Sequence, residues 1–201
     1  MKTQVLLIHG GETFETYDEY ISFLKSYKIE SLDYFKGHGW SSSLQQNLGE
    51  NFEVIAPRML NKFNAKYLEW KIYFNKIVPL LNPEVVLVGR SLGGIFLTKY
   101  LSENNFPKKI KSVFLVAPPY DAEETDYKMA DFVLENDLQK ISEQSSNINF
   151  YFSKDDTVVP ILNMEKYKKL LPNAKYHIFE DRGHFWQEEF PELVQDILET
   201  I

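Results

Sequence analysis

Short apolar runs of strand length alternate along the chain with longer stretches of helical period. The runs cover residues 5–8, 52–56, 85–88, 113–117, 149–152 and 176–179. Several are continuously apolar and rich in Val, Ile and Leu, the composition of central strands covered on both faces. Strand and helix in alternation predict an α/β fold: a mostly parallel sheet of about six strands, helices on both faces, right-handed crossovers. Helices are expected in "KYLEWKIYFNKIVPLL", where Leu68, Ile72, Ile77 and Leu80 fall close to one stripe, and in "GIFLTKYLSEN", ended by Asn104 and Asn105. "ILNMEKYKKLL" and "PELVQDILETI" complete the set, with Pro191 suited to a first turn. Residues 10–51 form a long connection, part helix and part loop, and 118–148 a second one, acidic in its first half.

Composition narrows the class. A chain of 201 residues, 44% hydrophobic and 25% charged, suits a single domain over 1–201 with a sizeable core. A net charge of -7 argues against nucleic acid or an anionic membrane as partner, since both select clustered Lys and Arg. With no cysteine, disulfides, zinc-thiolate sites and cysteine nucleophiles drop out. The apolar run in "MKTQVLLIHGGET" stops at His9, too short for a signal peptide or a membrane span, which predicts a cytoplasmic protein.

The stretch "VVLVGRSLGG" carries the chemistry. Gly89-Arg90-Ser91-Leu92-Gly93 fits Gly-x-Ser-x-Gly, with a predicted strand before it and a helix after it. A nucleophile on so sharp a turn needs small neighbours, and the helix behind it aims backbone N–H groups at the turn. By itself the pattern also marks ordinary turns.

A serine hydroxyl needs a base, and the base an orienting acid. "NFYFSKDDTVVP" and "YHIFEDRGHFW" supply them in the chain order Ser…Asp…His, each just after a strand. His184 is the expected base. Of the other histidines, His9 ends the first strand, His177 lies within a strand and His38 sits in a loop that could line a pocket. Asp156, in Asp-x-x-Val-Pro, is preferred to Asp155 as the acid, and Asp181 is expected to cap a turn. The oxyanion donors are expected to be the backbone N–H groups of Leu92 and of Gly11 in "LLIHGGET". Phe14, His38, Trp40, Tyr120 and Trp186 are the candidate pocket residues.

Together "IHGG", "VGRSLGG", "DDTVVP" and "RGHF" resemble the α/β-hydrolase fold, and the short length resembles the small single-domain serine hydrolases of the retinoblastoma-binding-protein-9 type. The likeness runs from about residue 4 to the C-terminus and is weakest over 10–50 and 118–148. It implies that the first run lies between the second and third, with the others following outward. It also implies Ser91 as nucleophile, His184 as base and Asp156 as acid. Such a set is expected to cleave small-molecule carboxylic esters, in preference to thioesters or amides, through an acyl-enzyme without metal or cofactor. Many relatives have histidine where this chain has Arg90, and where larger relatives insert a cap there is room for only about one helix, so the cap is expected to be minimal. The rival reading is a binding or adaptor protein that keeps the fold with little catalysis.

Overall fold

The computed structural model describes residues 2–123, 128–135 and 137–200. Six strands form one parallel sheet: β1 (Thr3–Ile8), β2 (Phe52–Ile55), β3 (Glu84–Arg90), β4 (Lys109–Val116), β5 (Ile148–Ser153) and β6 (Lys175–Phe179). Their order is β2-β1-β3-β4-β5-β6, every pair parallel, as the resemblance implies. The seven helices among the described residues are α1 (Tyr17–Ser26), α2 (Trp40–Leu48), α3 (Tyr67–Ile77), α4 (Leu92–Glu103), α5 (Gln139–Gln144), α6 (Leu162–Leu170) and α7 (Pro191–Leu198).

The two-residue period of the strands sorts their side chains onto two cores. Leu6, Ile8, Val85, Leu87, Val113, Leu115, Phe150 and Phe152 face α3, α4, α5 and α6. Val5, Leu7, Val86, Val88, Phe114, Val116 and Tyr151 face α2 and α7. Continuous apolar runs are therefore central strands with helices on either face, as their composition predicts.

One expectation is corrected. The helix over "KYLEWKIYFNKI" forms, but Leu68, Ile72 and Leu80 are 61%, 54% and 82% exposed. The buried face is instead Tyr67, Trp70 and Phe74, continued by Val78. Aromatic rings at i, i+3 and i+7 remove more surface from water than the aliphatic stripe, and they meet Phe96 and Phe132 edge-on. Trp70 Nε1 donates to the Leu60 carbonyl at 2.7 Å, which satisfies its one polar atom.

The 10–51 connection contains α1, a 3₁₀ turn (Leu32–Phe35) and α2. α1 starts with a Thr16/Glu19 capping box yet has no buried residue, whereas α2 buries Trp40, Leu44 and Leu48. Of the 118–148 connection, residues 124–127 and 136 lie outside the described residues. Its start packs against α6 through Tyr120 and Asp121, Phe132 lies between Tyr67 and Trp70 of α3, and α5, its one described helix, contacts α4. Among the described residues no helix is long and apolar enough to cross a membrane.

Candidate active site

The carboxyl ends of β3, β5 and β6 bring together three polar side chains that lie far apart in sequence. Ser91 sits between the end of β3 and the start of α4 with φ 51° and ψ -120°, a region that a residue with a Cβ rarely occupies. Its N–H donates to Val116 O at 2.8 Å, which ties the turn to β4. Two glycines make the turn possible. A Cβ at Gly89 would lie 2.6 Å from Gly93 O, and one at Gly93 would lie 2.2 Å from Ile8 O. The helix can thus start against β1 and β3 only where no side chain intervenes.

His184 Nε2 is 2.9 Å from Ser91 Oγ, and its Nδ1 is 2.8 Å from Asp156 Oδ2. The three residues are 8%, 5% and 5% exposed for Ser91, His184 and Asp156. The other carboxylate oxygen, Asp156 Oδ1, accepts the Val158 and Val159 N–H groups at 2.8 and 2.9 Å. With both oxygens accepting, the carboxylate accepts a hydrogen bond from Nδ1–H, which fixes the tautomer and leaves the Nε2 lone pair facing the Ser91 hydroxyl. A hydroxyl, an imidazole and a buried carboxylate in this relation can transfer an acyl group.

Asp155, the alternative acid, does not reach the imidazole. Its Oδ1 accepts from Ser153 and Gly183, and those two bonds hold its carboxyl below the usual range. Asp181 is exposed. Gly10 and Gly11 pass close to the serine: a Cβ on Gly10 would stand 3.2 Å from Ser91 Cβ, and one on Gly11 would stand 3.3 Å from Leu92 Cδ2. His9 fixes this loop, its Nε2 accepting the Met59 N–H at 2.8 Å and its Nδ1 donating to Gly10 O at 2.5 Å. Burial lowers its pKa, so it stays neutral and keeps both roles.

The candidate pocket residues scatter. Trp186 is 65% exposed and lies edge-on to the His184 ring at 5.5 Å. Phe14 is half-buried among Tyr20 and Phe23. Tyr120 packs edge-on against Tyr167. His38 is exposed and contacts the Asp33 carbonyl and the Glu188 carboxylate. Trp40 is no pocket wall: it is 2% exposed, and its indole N–H donates to Phe185 O at 3.1 Å. Its ring belongs to the core between α2 and α7 because α2 turns that face inward.

The sequence singles out Arg90 as a change of packing or charge near the site but does not say what it touches. Arg90 is the last residue of β3, next to Ser91, and its Nη2 donates to the His184 carbonyl at 3.5 Å. Burial pulls its pKa down while the Asp156 charge holds it up. The departure from the usual motif was the available signal.

Comparison with known proteins bears on the family and the fold. The profile of a family described as serine hydrolase matches residues 34–192. Serine hydrolase RBBP9 of Rattus norvegicus is 24% identical over 162 residues, 79% of this chain and 84% of the relative. Among solved structures, the ydeN gene product of B. subtilis superposes with a TM-score of 0.75 at 17% identity, covering 99% of this chain and 98% of that one. The meta-cleavage product hydrolase CumD of Pseudomonas fluorescens gives 0.66 at 13% identity, covering 100% and 90%. These likenesses show the α/β-hydrolase fold.

Proposed function

The chain belongs to the serine hydrolase family, and on that premise we propose that it cleaves carboxylic esters of small molecules through Ser91, His184 and Asp156. The observation that carries this reading is the continuous hydrogen-bonded path from the Ser91 hydroxyl through the imidazole to a buried carboxylate. Ser91 Oγ attacks the ester carbonyl while His184 Nε2 takes its proton, and Asp156 stabilises the resulting imidazolium. The carbonyl oxygen becomes an oxyanion held by the Gly11 and Leu92 N–H groups. His184 then gives its proton to the departing alkoxide, and the alcohol leaves an acyl-Ser91. Water repeats the sequence: His184 removes its proton, the acid departs, and Ser91 regains its hydrogen.

Esters are favoured because an alkoxide leaves a tetrahedral intermediate more readily than an amine does, and the proposed set needs no further acid. The test is Ser91→Ala with p-nitrophenyl esters and a fluorophosphonate probe. Turnover is expected to fall by about 10⁴–10⁶ with the protein still folded, and probe labelling to vanish. A Ser91→Ala protein that still hydrolyses esters near the native rate would refute the mechanism. A native protein that takes up no probe would favour the adaptor reading.

A further inference from the structure

The two adjacent aspartates after β5 both engage the turn that carries His184, by different means. Asp156 holds the imidazole ring at Nδ1. Asp155 Oδ1 accepts the Gly183 N–H at 2.8 Å, one residue before the base, and the Ser153 hydroxyl at 2.5 Å. That same hydroxyl oxygen accepts the Arg182 N–H at 2.9 Å. Two consecutive amides of the base turn, at 182 and 183, are therefore fastened to the end of β5 through one carboxylate and one hydroxyl.

The turn needs such fastening. His184 stands between two residues in the left-handed region, Gly183 at φ 50° and Phe185 at φ 54°. Phe185 has a Cβ, so its conformation persists only where the surroundings impose it. The Phe185 N–H closes the turn onto Arg182 O at 3.0 Å, and Gln187 Nε2 donates to the same oxygen at 2.8 Å. Those two bonds shape the turn internally. The Ser153–Asp155 pair is what joins it to the strand that also leads to Asp156.

We propose that Asp155, with Ser153, is a positioning residue for catalysis: it sets where His184 sits relative to Ser91 by clamping the Arg182–Gly183 backbone to β5. This rests on the reading of Ser91, His184 and Asp156 as the catalytic set. Asp155 lies on the surface and buries no apolar group, so its removal acts on the placement of the turn far more than on the core. A displacement of the imidazole of about 1 Å is enough to slow proton transfer by about two orders of magnitude.

The test compares native protein, Asp155→Ala, Asp155→Asn, Ser153→Ala and Ser91→Ala in p-nitrophenyl butyrate hydrolysis and in the rate of fluorophosphonate labelling. For Asp155→Ala, kcat is expected to fall about 10- to 100-fold and labelling to slow in parallel. Its KM should stay within about twofold, because ground-state binding is untouched. Asp155→Asn should recover most of the loss, since its amide oxygen still accepts both hydrogen bonds. Ser153→Ala should show an intermediate loss of the same kind, and it carries the test if Asp155→Ala does not fold. Native kcat in Asp155→Ala or in Ser153→Ala would overturn the clamp, as would an Asp155→Asn as slow as Asp155→Ala. An active Ser91→Ala would instead overturn the catalytic set on which the clamp depends.

Discussion

Asp156→Asn separates the charge and tautomer role of this residue from its place in the fold. Asp156 Oδ1 already accepts two backbone N–H groups, from Val158 and Val159. An asparagine there must keep its carbonyl oxygen on that side, because turning its NH₂ inward would face donor against donor and leave two amides unsatisfied, at about 1–3 kcal/mol each. The NH₂ then points at His184 Nδ1, which can only accept. The imidazole is driven to the tautomer with its proton on Nε2, facing Ser91 Oγ, and the hydroxyl loses its base. The expected loss in kcat/KM is about 10⁴, or about 5.4 kcal/mol of transition-state stabilisation. The two backbone bonds survive, so the melting temperature should change by no more than about 3 °C. The assay is p-nitrophenyl butyrate hydrolysis near neutral pH, with fluorophosphonate labelling as a second readout and thermal melting as the fold control. A folded Asp156→Asn retaining more than about a tenth of native kcat/KM would refute the reasoning.

Two further outcomes concern stability. Trp70→Ala should destabilise by about 3–5 kcal/mol in urea unfolding, whereas Ile72→Ala on the exposed side of the same helix should stay within about 0.5 kcal/mol; equal effects would mean that the buried face is wrongly identified. Burial lowers the His9 pKa from its ordinary 6.5, so the unfolded chain binds more protons below that value and stability is lost as pH falls. Replacing His9 with Asn should flatten the decline between about pH 6.5 and 5 in denaturant midpoints measured across pH, and an unchanged slope would contradict it. His177, lowered chiefly by burial, adds a decline of the same sign that this variant leaves in place.

The sheet and the position of the serine were legible because their causes are local. Continuous apolar runs mark central strands, and Gly89 and Gly93 mark a turn where backbones touch. Asp156 and His184 could be singled out from chain order, from their places just after strands and from the Asp-x-x-Val-Pro spacing. The rest was not legible, because its causes lie between distant segments. Trp40 donates to the Phe185 carbonyl 145 residues away, and no period or motif signals that bond. The apolar pattern points to the wrong stripe of α3 because Tyr67 and Trp70 carry polar tips that Leu68 and Ile72 lack, although their rings bury more surface. The acidic doublet at 155–156 invited a choice of one residue, whereas both side chains hydrogen-bond to the 182–184 turn.

Of the five non-glycine residues with positive φ among the described residues, Asn61 and Ala130 lie in other turns, and three lie at the end of the sheet where the polar residues meet. Ser91, Ala117 and Phe185 all have positive φ, at 51°, 44° and 54°, and they stand just beyond the carboxyl ends of β3, β4 and β6. Conformations of this kind cost about 1–3 kcal/mol each and survive only where neighbours leave no alternative. Here each is pinned to the sheet or to a helix: Ser91 N–H to Val116 O, Ala117 N–H to Tyr151 O, and the Phe185 carbonyl to the Trp40 indole. A parallel sheet can impose such turns because β3, β4 and β5 are paired on both sides and packed on both faces. The opposite end of each strand has no comparable strain among its described residues. The sheet therefore holds the Ser91 turn, and the turn that carries His184 next to Phe185, in conformations that local backbone preference alone would not give.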